Sequence, residues 1–352
     1  MRRALRAFAL FLAGALAAPG SRGEPPAAPD APPWKIEHRG AIRLPDDAVD
    51  AKGARVAITG LSGITWLGAD RYAAVMDNSD CLLRFALEFA PDGRPIKVKD
   101  PSVVKLAEAH DYEDLAPCGD GRGERLFVCE EDTPAIRVVS LDGGGVVDGV
   151  QLPPIFRSRR ANRGLESLAI DPDGRHLWTA NEEALPADGP PPTADEGTVV
   201  RIVRLPVGPG PSSGFQAAYR VDPPHRFARI RSGDALSGVS ALVAVGSGRL
   251  LVLERSGGPG LPPFVSRIYL VDTRGATDVS ACERDLSKRA DCFLPKRLLW
   301  SGAIGVNLEG MCLGPKLGPR RRAIVGIADN GGLGTPSQAI GFEFSAGGPT
   351  SP

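Results

Sequence analysis

Three glutamates stand in nearly the same setting along the chain. Glu113 lies in DYEDLAP (111–117), Glu166 in NRGLESLAI (162–170) and Glu309 in NLEGMCL (307–313). Ser62 in GLSGI and Ser240 in GVSALVA (238–244) take the same place in two further copies. After each anchor come an apolar run, a polar turn and a second run that ends in an acid: Asp77, Glu131, Glu182, Glu254 and Asp329. Carboxylates gathered in a small space repel, and their pKa values rise unless a cation compensates. A hard divalent cation fits them, calcium above all, because it accepts about six to eight flexible oxygen ligands. The predicted metal ligands are Asp77, Glu113, Glu166, Glu182, Glu254, Glu309 and Asp329, with Asn162, Asn181, Asn307 and Asn330 able to add neutral oxygens. The plainer reading is structural: each glutamate caps its strand by accepting backbone N–H groups of its neighbours.

Other reactive types are few. Of the four histidines (His38, His110, His176, His225) only His110 adjoins an anchor motif, so it joins Glu113, Glu166 and Glu309 as a candidate acid or base. Neither GLSGI nor GVSAL matches the G-x-S-x-G elbow, so Ser62 and Ser240 read as structural residues or weak ligands rather than nucleophiles. Arginines gather before Glu166 in RSRRANR (157–163), and Arg255 follows Glu254. Arg157, Arg159, Arg160, Arg163 and Arg255 are therefore the candidate binders of an anionic substrate, since guanidinium pairs well with phosphate and carboxylate. The cluster RRR at 320–322 lies in a hairpin turn, which should face the opposite side as a solvated loop. The insertion 183–197 (EALPADGPPPTADEG) leaves the acidic rim and has the length of a lid.

The elements that would position these groups are short. Gly and Pro punctuate runs of Val, Ile and Leu, and no long 3.6-residue apolar stripe appears, so the chain reads as all-β. The anchors are spaced by 51, 53, 74 and 69 residues. Two more strand-like runs follow most anchor hairpins: CLLRFALEF and PIKVKD, then AIRVVSL and GVQLPPIF, then TVVRIVRL and GFQAAYRV. Four strands per unit is the arithmetic of a β-propeller. Five blades are counted directly, and the 166–309 stretch has room for a sixth. The last unit lacks a fourth strand, which WKIEHRGAIRL (34–44) can supply by closing the ring. The first strand of each blade lines the central channel, which brings the anchor acids to one mouth.

The rest of the chain frames this domain. Arg2, Arg3 and Arg6, an apolar run over 7–13 and Ala15-Leu16-Ala17 form a secretory signal over 1–17, too short to stay in a membrane. Six prolines within 18–33 make an extended linker, the propeller spans 34–345 as one domain, and 346–352 is a loose tail. Export implies a periplasmic or extracellular protein. Without the signal, which holds three Arg and no acid, the 42 basic and 42 acidic residues become 39 and 42, a net of −3. A slightly acidic chain excludes nucleic acid as partner, and no later run is long enough to span a membrane. Six cysteines in an oxidising compartment read as disulfides: Cys282 with Cys292, Cys118 with Cys129, and by subtraction Cys81 with Cys312. A zinc site is the rival, but no CxxC spacing supports it.

The segments GLSGITW…AVMDNSD, DYEDLAP…VCEED, NRGLESLAIDPDG…TANEEALPADG, GVSALV…LLVLERSGG, IYLVDTRGATDVS and NLEGMCL…ADNGG run from about residue 60 to 332. In that order they resemble the exported bacterial phytase-like family, described as esterase-like activity of phytase. The resemblance implies a propeller-like domain with metal-assisted phosphoester hydrolysis, carried here by Glu113, Glu166, Glu182, Glu254, Arg255, Glu309 and Asp329. Ser62 and Ser240 break the ring of acids, so its symmetry is not complete.

Together these readings favour a calcium-dependent phosphoester hydrolase acting on a small anionic substrate. Two others stand beside it. One is a non-catalytic binding propeller with a structural metal; the other is a calcium-dependent lactone or carboxyl-ester hydrolase.

Overall fold

A computed structural model describes residues 34–119, 124–141, 145–208, 214–225, 236–246, 248–258, 260–329 and 336–347. The expected signal segment, the linker, most of the tail and Asn330 lie outside the described residues. Among the described residues twenty-two strands form five sheets, and each sheet is one blade.

Blade one is built from β4 (Leu61–Gly68), β5 (Arg71–Met76), β6 (Ser79–Phe89) and β7 (Pro95–His110). It is widened by β2 (Asp47–Asp50) and β3 (Arg55–Ala57), an added hairpin that runs parallel to β7 through β2. Blade two holds β8 (Tyr112–Cys118), β9 (Arg125–Glu130), β10 (Ala135–Ser140) and the short β11 (Val147–Asp148). Its last strand thus lies before GVQLPPIF, where prolines give a 3-10 turn (Pro154–Arg157) instead of a ladder. Blade three comprises β12 (Leu165–Ile170), β13 (His176–Asn181), β14 (Val199–Pro206) and β15 (Phe215–Arg220). Blade four comprises β16 (Leu236–Gly246), β17 (Arg249–Gly257), β18 (Phe264–Asp272) and β19 (Lys296–Gly302).

Blade five contains β20 (Asn307–Gly318), β21 (Arg321–Asp329) and β22 (Gln338–Ser345), and its outer strand comes from the other end of the chain. That strand, β1 (Lys35–Arg43), pairs antiparallel with β22 from Lys35↔Ser345 to Arg43↔Gln338. The ring therefore closes by the N-terminal strand, as the missing fourth strand required. The innermost strands β4, β8, β12, β16 and β20 touch in turn around the axis. No sixth sheet exists among the described residues; the extra length between Glu166 and Glu309 is loop.

Each blade buries both faces against its neighbours. In β5, Tyr72, Ala74 and Met76 enter the core shared with blade five, while Ala73 and Val75 enter the core shared with blade two. A strand covered on both faces reads as continuous apolar residues rather than as an alternation, which is why RYAAVM looks so uniform. Each large side chain fully buried this way stabilises the ring by about 1.5–3 kcal/mol.

Two long loops are pinned to blade three by one arginine. Arg201 is fully buried and donates to both Asp188 oxygens (2.6 and 2.7 Å), Gln216 Oε1 (2.8 Å) and the carbonyls of Val279 (3.2 Å) and Cys282 (2.6 Å). Asp188 belongs to the 183–197 insertion, whose Ala184 and Leu185 are also buried. That insertion is anchored structure rather than a free lid.

All six cysteines are thiols, which departs from the expected disulfides. For Cys118 and Cys129 the register gives the reason: Cys118 lies opposite Arg125 and Cys129 opposite Asp114. Four residues along a strand is about 13 Å, whereas a disulfide needs Cα atoms within about 7 Å. Cys81 and Cys312 sit on strands of different blades, buried in one apolar core. Cys282 and Cys292 share a small core on the 273–295 loop, their thiols donating instead to the carbonyls of Arg284 and Arg289.

Candidate functional site

All five innermost strands break register at the anchor residue. The ladder skips from Leu61 to Ile64, Tyr112 to Asp114, Leu165 to Ser167, Val239 to Ala241 and Leu308 to Gly310. The residues left over include Ser62, Glu113, Glu166, Ser240 and Glu309. A β-bulge re-aims its extra side chain and bends the strand. Here five bulges at one level turn Ser62, Glu113, Glu166 and Glu309 into a cavity of about 150 Å³ at one channel mouth.

The second strand of each blade adds the residue one beyond the last rung before the bulge. Leu61 pairs with Met76, Tyr112 with Glu130, Leu165 with Asn181, Val239 with Glu254 and Leu308 with Ala328. The rim positions are therefore Asp77, Glu131, Glu182, Arg255 and Asp329. The amides of Asp77, Glu131 and Glu182 donate to the carbonyls of Gly60, Asp111 and Gly164, and Asp329 pairs with Asn307. Blade four departs from the rule by carrying an arginine.

This corrects the expectation for Glu254. It sits one residue short of the rim, so strand alternation points it into the blade. There it is fully buried, accepting from Tyr219 Oη (2.6 Å), the Asp222 amide (3.0 Å) and Lys296 Nζ (2.6 Å).

Arg255 occupies the acidic side of the cavity as a built-in cation. Its Nη2 lies 2.7 Å from Glu182 Oε1 and 3.3 Å from Glu166 Oε1, and its Nη1 pairs with Glu309. Arg163 adds a second cation, 3.0 Å from Glu182 Oε2. Asn307 donates to Glu309, and Asn162 also lines the cavity. Asn181 is turned away, its Oδ1 accepting from the Arg201 amide at 3.1 Å.

Asp77, Asp111 and Glu113 bring carboxylate oxygens within 4.8 Å of one another. Asp111 is 6% exposed and its Oδ1 has no hydrogen-bond partner. Burial pushes the Glu113 carboxyl well above the usual range; Asp77, Glu131 and Asp111 add to this, and only the Ser62 hydroxyl opposes it among the main causes. Glu166 is raised by burial and by Glu113 and Glu182, against the pull of Arg255. Glu131 is raised by burial to about 7 although it accepts the Gly164 amide. Each of these shifts favours the protonated carboxyl, and a bound cation would oppose it.

Two glycines make this crowding feasible. A Cβ on Gly164 would lie 2.7 Å from Glu131 Cγ, and one on Gly238 would lie 2.6 Å from Glu182 Cγ. The glycine two residues before each of these anchors lets the preceding blade's acid lean across.

Beneath the cavity, Asp114 ties three blades together. It is 1% exposed, and its carboxylate accepts the amides of Leu115 (2.8 Å), Leu168 (2.7 Å) and Ile64. Strand capping thus falls to Asp114, not to the anchor glutamates.

The remaining expected site residues lie elsewhere. His110 ends β7 between Glu108 Oε2 and Glu130 Oε1, each at 2.9 Å, and packs edge-on against Tyr112 outside the cavity. Arg157 ends the 3-10 turn, exposed to solvent. Arg159 is spent on the Glu131 carbonyl (2.6 Å) and on Asp132, and Arg160 on the Gly189 carbonyl (2.8 Å) and Glu183. Arg159 and Arg160 thus brace the rim from outside, whereas Arg163, nearest the anchor Glu166, lines the cavity. Sequence reasoning missed Asp111 and Asp114; both flank Glu113 in one acidic motif, which was the available signal.

Residues 56–332 match the family described as Phytase-like, esterase-like activity of phytase. No curated protein matches the sequence. Among solved structures the fold is similar to a PQQ-bound aldose sugar dehydrogenase from Streptomyces coelicolor (12% identity, 90% of this chain and 100% of that one, TM-score 0.39). It is also similar to an endo-arabinase from Bacteroides thetaiotaomicron (13%, 88% and 96%, TM-score 0.42) and the periplasmic gluconolactonase PpgL of Pseudomonas aeruginosa (14%, 89% and 99%, TM-score 0.38). At that level of superposition the likeness says nothing about chemistry.

Proposed function

Since the chain belongs to the phytase-like family, we propose that it is a metal-dependent ester hydrolase whose acidic mouth holds calcium and cleaves a small phosphoester. The observation that carries this reading is the meeting of Asp77, Asp111 and Glu113, with one Asp111 oxygen buried and unpartnered. An all-carboxylate donor set suits a hard cation and not a soft one. When bound, calcium would neutralise phosphate charge and lower the pKa of a coordinated water.

This chain's own groups supply the rest. Glu131 titrates near neutral pH and lines the cavity, so it is placed to accept or return a proton. Arg255 neutralises the side made by Glu166, Glu182 and Glu309, which leaves the cation to the opposite side. Arg163 and Arg255 face the same space and would orient an anion. A cavity of about 150 Å³ admits one phosphoester group rather than a whole polyphosphate. The N-terminal signal read from the sequence would deliver the protein outside the cytoplasm. Among the described residues no helix is long and apolar enough to cross a membrane.

The test pairs calorimetric calcium titration with hydrolysis of a monoester, a diester, phytate and a lactone, each with calcium and with chelator. Calcium-dependent phosphoester turnover, lost together with calcium binding in Asp111→Asn, supports the reading. Glu131→Gln should keep the calcium and lose the turnover. Calcium binding without turnover of any ester would overturn the enzyme reading in favour of a binding propeller. Turnover of the lactone alone would move the substrate class.

A further inference from the structure

The channel has a second mouth, and its chemistry is the reverse of the first. A cavity of about 370 Å³ opens there, lined by Ile64, Leu115, Leu168, Leu242 and Met311, one from each innermost strand. That volume lies within the range of small-molecule sites, roughly 300–1,000 Å³. The acidic mouth gathers polar groups, whereas this one is walled by apolar residues at every blade.

Among the described residues two charged ones line it, Asp171 and Arg322. Asp171 is engaged: its Oδ1 accepts from Trp178 Nε1 at 2.9 Å and its Oδ2 lies 3.5 Å from His176 Nδ1. Arg322 is not matched by any anion among the described residues. Its Nε and Nη2 both donate to a single carbonyl, that of Gly314 (3.1 and 3.0 Å), and its guanidinium lies 5.3 Å from the centre of the Trp66 ring. The next residue, Arg321, shows the contrast, being paired with Glu343 at 2.6 Å.

The groups closest to Arg322 do not supply a negative charge. Burial pushes the Tyr72 phenol and the Cys312 thiol upward, so both stay neutral near pH 7, and the Tyr72 hydroxyl is buried without a partner. Arginine remains charged in any protein setting. A guanidinium over an aromatic face, with donors to spare beside apolar walls, is arranged for a carboxylate with an apolar body.

We propose that this second mouth is a binding site for a small apolar monocarboxylate, its carboxylate on Arg322 and its hydrocarbon part in the channel between Ile64, Leu115, Leu168, Leu242 and Met311. A phosphate dianion fits it poorly, since among the described residues no second cation joins that guanidinium in the cavity. The site is separate from the acidic mouth and stands or falls independently of the hydrolase reading.

The experiment titrates octanoate and 1-octanol, which have the same chain length and differ in charge, into the full chain by calorimetry. Octanoate should bind saturably at one site, about tenfold or more tighter than 1-octanol, the scale of one charge-assisted contact. Arg322→Gln should remove that difference. Leu313→Glu places a carboxylate on another lining residue and should weaken octanoate without weakening 1-octanol, so the test survives if Arg322→Gln does not fold. Absence of saturable octanoate binding overturns the proposal. So does equal affinity for the two probes in the unaltered chain, or octanoate affinity unchanged by both variants.

Discussion

The crowded carboxylates make a specific demand on stability as pH changes. Glu131 has an ordinary value of 4.5 and is pushed to about 7 in the folded chain, first by burial and then by Glu182 and Asp111. A carboxyl raised on folding holds its proton longer in the folded state. Its contribution to stability is therefore full below about pH 4.5 and is lost as pH rises to about 7. The difference between 4.5 and about 7, at about 1.4 kcal/mol per pH unit, gives about 3.5 kcal/mol over the full range. Glu113 and Glu166 act in the same direction. His38, whose pKa burial lowers, acts the opposite way and gains stability as pH rises towards 6.5. Comparing the wild type with Glu131→Gln removes that contribution, because His38 is common to both. The assay is urea denaturation in chelator at several pH values from about 5 to 8. Wild type should lose about 2.5 kcal/mol more than Glu131→Gln across this window, the part of the full difference that falls between these pH values. Calcium should then stabilise the wild type more at the high end, since its binding must displace the retained protons. Parallel curves for the two proteins would refute the reasoning, for they would mean that Glu131 is not holding a proton at neutral pH.

Three further outcomes are expected. Arg255→Gln leaves Glu166, Glu182 and Glu309 without their shared cation and should cost about 3–5 kcal/mol in chelator, with part of the loss restored by calcium; denaturation with and without the ion reads both. Asp114→Ala strands the amides of Ile64, Leu115 and Leu168 and should cost about 3 kcal/mol or more at about 1–3 kcal/mol for each lost partner, measured in the same way with calcium affinity unchanged. Arg201→Ala leaves buried Asp188 unpaired and should cost about 3–5 kcal/mol, and limited proteolysis should then cut first within 183–197 or 273–295.

What was legible in the sequence was the repeat, because it is written in residue types and spacing. Five anchors make five blades, and the fourth strand missing after QAIGFEF marks the role of WKIEHRGAIRL, which β1 fills. What was not legible was register. Strand periodicity places Glu254 and Glu131 alike, as the acids that end RLLVLE and RLFVCEE, yet pairing puts Glu254 opposite Val239 and leaves the rim to Arg255. A shift of one residue moves a side chain to the other face, and nothing in a run of apolar residues buried on both sides marks which face is which. The bulges raise the same difficulty. They decide that Glu113, Glu166 and Glu309 enter the channel while Asp114 stays behind to cap three blades, and a bulge leaves no signature beyond the small residues around it. Cysteines failed for a related reason: Cys118 and Cys129 lie on paired strands, but pairing of strands is not pairing of residues.

The asymmetry that register created is also what gives the site its character. A full ring of acids would hold several cations equally well or none in particular. With serine at two anchors and Arg255 at one rim position, Glu166, Glu182 and Glu309 share one guanidinium, while Asp77, Asp111 and Glu113 gather their carboxylates at a separate place. Five repeated blades thus yield one distinct position, and departures from the repeat, not the repeat itself, are where chemistry should be sought in this chain.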